Sequence, residues 1–348
     1  MKKNLSIDTI KRIYTLRSHK IYSLPIMILM PHSRCNCRCV MCDIWKGNNN
    51  VQQLDETDIE KLLYSLKKLN TKWVVMSGGE ALMHPNFFKL CDIIKTKKIR
   101  ISILSTGLLL KKYANEIIIK TDEVIVSLDG SREVHDRIRN IPNAFDKLRE
   151  GVQELKRLNN KYKVTARCVI QRDNFKDLSN IVKTGNEIGL DQISFLTADV
   201  STDAFNRPEL WGEEKISEVS LSKNELEIFK EEIEFLIQTH HNDFESKFIA
   251  ESPEKIRRFY NYYAAFHDLC DFPEIYCNAP WVSAVVEPDG IVRPCFFHAK
   301  SGNLNNVLFA GILNSKESIA FRKNLDVKTN PICKKCVCSL NLSPFAKL

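Results

Sequence analysis

The sequence predicts an α/β fold: a partial, TIM-like (β/α)6 barrel followed by a small C-terminal cysteine-rich β-hairpin subdomain. Three observations carry that expectation. Between residues 25 and 200 one grammar repeats: a short β-rich run, a loop with polar or glycine residues, then an amphipathic helix pattern. The fifth β-rich run alternates polar and apolar residues, as a strand bordering a ligand-holding interior would. The 12 cysteines are polarised, four at residues 35 to 42 and six beyond residue 269, with only Cys91 and Cys168 between.

The β-rich runs are Ile26–Met30, Trp73–Met76, Ile101–Leu104, Val124–Leu128, Val164–Ile170 and Gln192–Leu196. In "DETDIEKLLYSLKKL", Ile59, Leu62, Leu63, Leu66 and Leu69 share one helix face behind an acidic first turn. In "NAFDKLREGVQELKRL", Phe145, Leu148, Val152, Leu155 and Leu158 do the same. Six strand-then-helix units in succession imply a parallel sheet with right-handed crossovers, doubly wound or barrel-like, and six falls short of a closed eight-unit barrel. In "VTARCVIQ", Thr165, Arg167, Val169 and Gln171 lie on one face and Val164, Ala166, Cys168 and Ile170 on the other. A polar interior face favours an open barrel holding a ligand at the strand C-termini.

Residues 201–276 read as an acid-leaning helical connector. "SKNELEIFKEEIEFLIQ" opens with a Ser222-x-x-Glu225 capping box and stripes Leu226, Phe229, Ile233 and Leu236 on one face. "PEKIRRFYNYYAAF" is a further helix. "WVSAVVEPDGIVRPCFF" reads as a β-hairpin turning at Pro288-Asp289-Gly290. The chain thus divides into an N-terminal extension (1–24), the partial barrel (25–200), the connector (201–276) and a cysteine-rich domain (277–348). The last has little apolar mass of its own and is expected to order only with its metal.

The formal charge of +8 comes from lysines and arginines scattered without a run of five or more. It describes a solvated basic surface and gives no reason to expect a nucleic-acid or membrane partner. No apolar stretch approaches eighteen residues, and Met1 to Lys20 lacks a signal-peptide pattern, so the expected location is cytoplasmic. In that reducing compartment, dense cysteines point to metal or redox chemistry and not to disulfides.

Cys35, Cys39 and Cys42 follow the first β-rich run with spacings of three and two residues. Thiolates are soft donors suited to iron-sulfur clusters or zinc. Three ligands on a four-iron cube leave one iron open, whereas structural zinc sites close with four. With Met41 before the third cysteine, the motif resembles the signature of the radical S-adenosylmethionine (SAM) superfamily. "VVMSGGEALMHP" and the strand ends "LSTG" and "VSLDG" extend the likeness over residues 25 to about 200.

That resemblance implies a [4Fe-4S] cluster on Cys35, Cys39 and Cys42 with SAM at the open iron, and a cofactor site that includes Met41. Gly78, Gly79 and Glu80 would hold the amino group of SAM, Ser127 its ribose or carboxylate region and Leu196 its adenine, while Arg139 would contact SAM. Arg167 and Asn174 are further polar candidates. An electron from a reducing partner such as flavodoxin or ferredoxin would cleave SAM to methionine and a 5′-deoxyadenosyl radical, which removes a substrate hydrogen atom. Cys37 is expected to be a bystander.

The spacing Cys277-x12-Gly290-x4-Cys295, followed by Cys333-x2-Cys336 and Cys338, resembles the SPASM/twitch extension of such enzymes. It implies an auxiliary [4Fe-4S] cluster on Cys277, Cys295, Cys333 and Cys336, with Cys338 as an alternative to Cys336 and zinc as the alternative metal. Cys270 is a spare ligand or a packed thiol, Cys91 and Cys168 are packed thiols, and His298 is a packed or surface histidine.

The expected activity is oxidation or crosslinking of a peptide or natural-product substrate. A small-molecule dehydrogenase acting on a sugar-like or aminocyclitol-like alcohol is the alternative enzyme. A non-enzymatic iron-sulfur carrier or scaffold is the alternative of another class, against which the Gly-Gly-Glu turn counts, because a carrier needs no ammonium site. Only about twenty-five residues precede the first strand, fewer than the leader-binding domain of peptide-maturing relatives needs, which counts against the peptide reading without removing it, since a separate protein can bind a leader.

Overall fold

A computed structural model of the chain describes residues 6–207 and 209–348. Helix α1 (Ile7–Ser18) starts at Ser6, whose Oγ accepts a hydrogen bond from Thr9 N (3.2 Å), satisfying one of the free donors of the first turn. The repeating units follow as β1 (Ile26–Leu29), α2 (Glu56–Lys68), β2 (Trp73–Met76), α3 (Phe87–Lys95), β3 (Arg100–Ser105), α4 (Ala114–Lys120), β4 (Glu123–Ser127), α5 (Arg132–Arg139), α6 (Ala144–Leu158), β5 (Lys163–Ile170), α7 (Leu178–Ile188) and β6 (Gln192–Thr197). The six strands lie side by side in chain order, every pair parallel.

The helix stripes face the sheet as their spacing predicts. Ile59, Leu62, Leu63 and Leu66 of α2 are buried, behind a capping box made by Asp55 and Asp58. Phe145, Leu148, Val152 and Leu155 of α6 are buried too, but Leu158, at the last position, is 36% exposed. Val164, Ala166, Cys168 and Ile170 of β5 are buried under helices, while Arg167 opens into the barrel interior. Cys91 and Cys168 are fully buried thiols.

The connector contains helices Glu213–Val219, Leu226–Thr239 and Pro253–Ala265. Glu225 accepts from Ser222 N (2.8 Å) and Ser222 Oγ (2.7 Å), and Leu226, Phe229, Ile233 and Leu236 form the buried stripe. Tyr263 joins this layer to the barrel: its hydroxyl donates to Ile170 O and accepts from Ala198 N (3.0 Å).

The expected hairpin forms, and it is attached to the barrel: strand β7 (Ser283–Val286) continues the main sheet, parallel to β1 in the register Ile26↔Ser283 to Leu29↔Val286, which revises the expectation that this region orders only with its metal. Strands β8 (Ile291–Arg293) and β9 (Gly302–Asn303) follow it antiparallel. The turn between β7 and β8 uses Gly290 at φ 80, a left-handed conformation that suits glycine, and Asp289 Oδ1 accepts from Ile291 N (3.0 Å). Ala284, Val286, Val292, Phe309 and Ile312 share one core with the barrel. Sheet hydrogen bonds and common apolar burial therefore anchor the hairpin without help from any thiol.

The sheet order is β6-β5-β4-β3-β2-β1-β7-β8-β9, with β6 and β9 at its two ends. It is a partial barrel, not a closed one. Toward the N-terminal ends of β2 to β6 lies an open cavity of about 350 Å³ bordered by Trp73, Arg100, Glu123, Thr165, Arg167 and Ser194. No helix among the described residues is long and apolar enough to cross a membrane.

Candidate cluster and cofactor sites

The cysteine loop leaves the C-terminal end of β1 and is tied down from three sides. Arg34 O accepts from Glu80 N (2.8 Å) in the turn after β2. The last carbonyls of α5 accept from the loop as well, Ile138 O from Val40 N (3.1 Å) and Arg139 O from Arg38 N (3.0 Å). Asn48 closes a ring with Cys35, accepting from its N and donating to its O, each at 2.9 Å. The loop is thus held in place by backbone pairing, independently of any bound group.

Its thiols are unlike one another. Burial, then neighbouring cysteine charge, pushes Cys35 and Cys42 up to about 12. Cys39 is pulled below the ordinary thiol range, first by the neighbouring Cys37 thiol and then by the Arg139 guanidinium, against its burial. Cys37 is 1% exposed, and its backbone N donates to Cys35 Sγ (3.5 Å). Three gathered sulfurs that repel one another as thiolates are the donor set a multiply charged iron cube relieves. The residues fit a [4Fe-4S] cluster.

Beside the loop, Gly78 adopts φ 106, and a Cβ on Gly79 would stand 2.1 Å from Arg34 O. The two glycines thus let the turn after β2 pass against the loop. Glu80 is fully buried, with Oε2 accepting from Thr106 N (2.7 Å), Thr106 Oγ1 (2.7 Å) and Ser105 Oγ (3.0 Å), and Oε1 from Leu82 N (3.2 Å). Burial raises its pKa and these hydrogen bonds hold part of the rise back. The "LSTG" strand end therefore works as the cradle of Glu80.

Ser127, at the end of β4, pairs in register with Arg167; Leu196, near the end of β6, pairs with Val169; both are half-buried. The cysteine loop, Gly78, Gly79, Glu80, Ser127 and Leu196 thus meet at the C-terminal ends of the strands. Three candidates are placed differently. Met41 packs into a satellite cluster with Ala198, Val200 and Val219. Arg139 is buried, paired with Asp129 and donating to Cys39 Sγ (3.4 Å). Asn174 spends its amide on Asp129 O (2.8 Å) and Val169 O (2.9 Å).

The loop after β6 also covers the cysteine loop, a contact the sequence reading left out. Arg207 forms a buried pair with Asp199 (2.8 Å), its guanidinium lies 3.7 Å from the Trp211 ring centroid, and Nη2 donates to Met41 O (3.5 Å). Trp211 Nε1 donates to Asp43 Oδ2 (3.0 Å). The "DIW" after Cys42 was the available signal, since Asp43 is 3% exposed and needs a partner. Losing one such hydrogen bond costs about 1 kcal/mol, enough to favour an opened loop roughly fivefold. Trp211→Phe is accordingly expected to bleach in air about fivefold faster, read from the visible absorbance of the reconstituted protein.

Toward the C-terminus, charge coupling links Cys277, Cys295, Cys333, Cys336 and Cys338, so the fold gathers five thiols. Cys270 is exposed and donates to Asn261 O (3.4 Å), apart from them. Burial pushes Cys295 up to about 11 and Cys333 to about 12. Cys277 Sγ accepts from Ala279 N (3.4 Å), and nearby backbone amides hold back the rise that burial gives Cys295 and Cys336. Such turns aim amides at sulfur and stabilise thiolate. His298, 5% exposed, sets Nε2 3.2 Å from Cys333 Sγ, a contact its spacing did not reveal. The donor set fits an auxiliary cluster, with Cys333 buried, Cys277, Cys295 and Cys336 half-buried and Cys338 exposed.

Residues 29–185 match the family model described as the Radical SAM superfamily, and residues 277–337 the one described as an iron-sulfur cluster-binding domain, SPASM. The chain is 27% identical over 176 residues to Fe-coproporphyrin III synthase of Methanosarcina barkeri, spanning 49% of this chain and 43% of that protein. It is 24% identical over 343 residues to a cysteine-type anaerobic sulfatase-maturating enzyme of Clostridium novyi, spanning 90% and 85%. Among solved structures, Streptococcus suis SuiB bound to the precursor peptide SuiA superposes with TM-score 0.64 at 15% identity, covering 95% of this chain and 75% of that one. The first curated relatives are matched over less than half of their own length, 43% and 42%.

Proposed function

This chain belongs to the radical SAM superfamily and carries a SPASM iron-sulfur domain, and from that membership we propose that it oxidises or crosslinks a side chain of a peptide substrate. The observation that carries the reading is the adjacency of its two cysteine segments: the cysteine loop follows β1, and β7, which leads into the second group, lies directly beside β1 in the same sheet. A substrate between the two sites would have a radical source on one side and an electron acceptor on the other, the arrangement a net oxidation needs. The sulfatase-maturating relative and the SuiB complex with its precursor peptide support a polypeptide substrate.

When bound, the cluster and SAM supply the reductive cleavage that generates a hydrogen-abstracting radical. The protein's own groups do the rest. Glu80, held by Ser105 and Thr106, presents a carboxylate for the ammonium of SAM. Ser127 offers a hydroxyl and Leu196 an apolar face at neighbouring strand ends, so one molecule can be oriented along the rim. Arg207 and Trp211 close over the cysteine loop and keep water from it.

Incubation of the reduced, iron-loaded protein with SAM and candidate precursor peptides tests this reading. The expected products are 5′-deoxyadenosine and a peptide that has lost two hydrogens. No 5′-deoxyadenosine from the wild type would end it. Cys295→Ser should lower bound iron from about eight to about four per chain. The variant should still form 5′-deoxyadenosine while losing the modified peptide. Full peptide modification by Cys295→Ser would remove the auxiliary site from the reaction.

A further inference from the structure

Arg139 ends α5 with 6% of its surface exposed, and its guanidinium has little freedom. Nη2 pairs with the fully buried Asp129, Nη1 donates to Cys39 Sγ (3.4 Å), and Nε has no partner among the described residues. Asp129 is fixed in turn: Oδ1 accepts from Val169 N (2.9 Å), its carbonyl accepts from Asn174 Nδ2 (2.8 Å), and its N donates to His135 Nδ1 (3.2 Å). The same helix end receives Arg38 N and Val40 N, on either side of Cys39, at 3.0 and 3.1 Å. The last two residues of α5 thus grip one sulfur and its two chain neighbours, Arg139 through side chain and carbonyl and Ile138 through its carbonyl.

A buried guanidinium is stable only when its charge is matched and its planar fork is used. Asp129 matches the charge. The other arm of the fork donates to Cys39, so each arm is held by a partner within the protein. A cationic N–H donated to a thiolate in a low-dielectric setting favours the state with more negative charge, which for an iron-bound thiolate is the reduced one. We propose that Arg139 is a positioning residue for the cysteine-loop cluster: held by Asp129, it donates to Cys39 Sγ and raises the reduction potential of the cluster that Cys39 would ligate, without contacting SAM. This rests on Cys39 being an iron ligand, which the iron content reports separately from the potential.

The test is a redox titration of the full, iron-loaded chain, followed by electron paramagnetic resonance of the signal that changes when SAM is added. Arg139→Lys keeps a cation for Asp129 but lacks the second arm of the fork. It should retain the iron of this cluster and bind SAM within about twofold of wild type. At the wild-type midpoint its ratio of reduced to oxidised cluster should fall about tenfold, a downward shift of about 59 mV for one electron. Asp129→Asn leaves the donor and removes its counter-charge, so it should shift the midpoint upward. An unchanged midpoint in both variants overturns the proposal. So does an Arg139→Lys protein whose SAM affinity falls about tenfold at an intact midpoint, since that would make Arg139 a SAM contact. If Arg139→Lys fails to take up iron, Asp129→Asn decides alone: a rise supports the proposal, and a fall or no change overturns it.

Discussion

Replacing Gly79 by alanine should yield a folded protein that holds no cluster on the cysteine loop and does not bind SAM. The new methyl carbon would lie 2.1 Å from Arg34 O, 2.6 Å from Arg34 C and 3.1 Å from Cys35 Cβ. Two of those atoms are backbone, directly before the first expected ligand, so no side-chain rotation relieves the clash. Overpacking of this kind costs about 1–3 kcal/mol, which a core running through the whole sheet can absorb. The cysteine loop cannot, because it must move away from the turn and give up the hydrogen bond from Glu80 N to Arg34 O (2.8 Å). The expected measurements are a native far-UV circular dichroism spectrum, loss of about four irons per chain and SAM affinity at least about 100-fold weaker. Gly189→Ala is the matched control. Gly189 sits at φ 87 with nothing within 4 Å of the added carbon, so only backbone strain of about 1 kcal/mol should appear, as a lower Tm at full iron content. Normal iron and SAM binding in Gly79→Ala would show that the loop tolerates displacement.

The second large effect is expected for Glu80→Gln. The Glu80 carboxylate is buried, and desolvation raises its pKa despite donors from Thr106, Leu82 and Ser105. A carboxyl whose folded pKa lies above its unfolded value contributes stability that is complete below the unfolded pKa and is lost as pH rises through the folded one. The SAM-free protein should therefore lose stability from the ordinary carboxyl range upward, and an ammonium group brought to Glu80 should restore it. Glutamine keeps the shape and part of the hydrogen bonding but offers no counter-charge. SAM affinity should fall about 100-fold, the equivalent of about 3 kcal/mol for a lost charged hydrogen bond. The SAM-free Tm at neutral pH should be equal to or above that of wild type, and its fall between acid and neutral pH should be smaller. Calorimetric titration with SAM and melts across pH check both halves. Unaltered SAM affinity would take Glu80 out of the cofactor site.

Most of the fold was legible because its signals are local. The stripe Ile59, Leu62, Leu63 and Leu66 predicts a helix face, and the alternation along β5 predicts which side chains face helices, because each depends on a period of a few residues. The same holds for the cofactor sites: Cys35, Cys39 and Cys42 share one loop, and Gly78, Gly79 and Glu80 share one turn. A short stretch of chain carries its own geometry wherever the fold puts it.

What escaped the sequence are the pairings between distant segments. Strand β7 looked like half of a free hairpin until its register with β1 made it part of the main sheet. Nothing local in the sequence marked the buried pair of Arg139 with Asp129 or its hydrogen bond to Cys39. Arg207 carried no signal for Met41, and His298 none for Cys333. By itself the sequence determined the elements, the ligand types and their local spacing, which follow from backbone periodicity and side-chain chemistry. Only the tertiary structure decided which buried charge meets which sulfur, because a desolvated donor must find its partner in space, and strand order and packing choose that partner irrespective of chain separation.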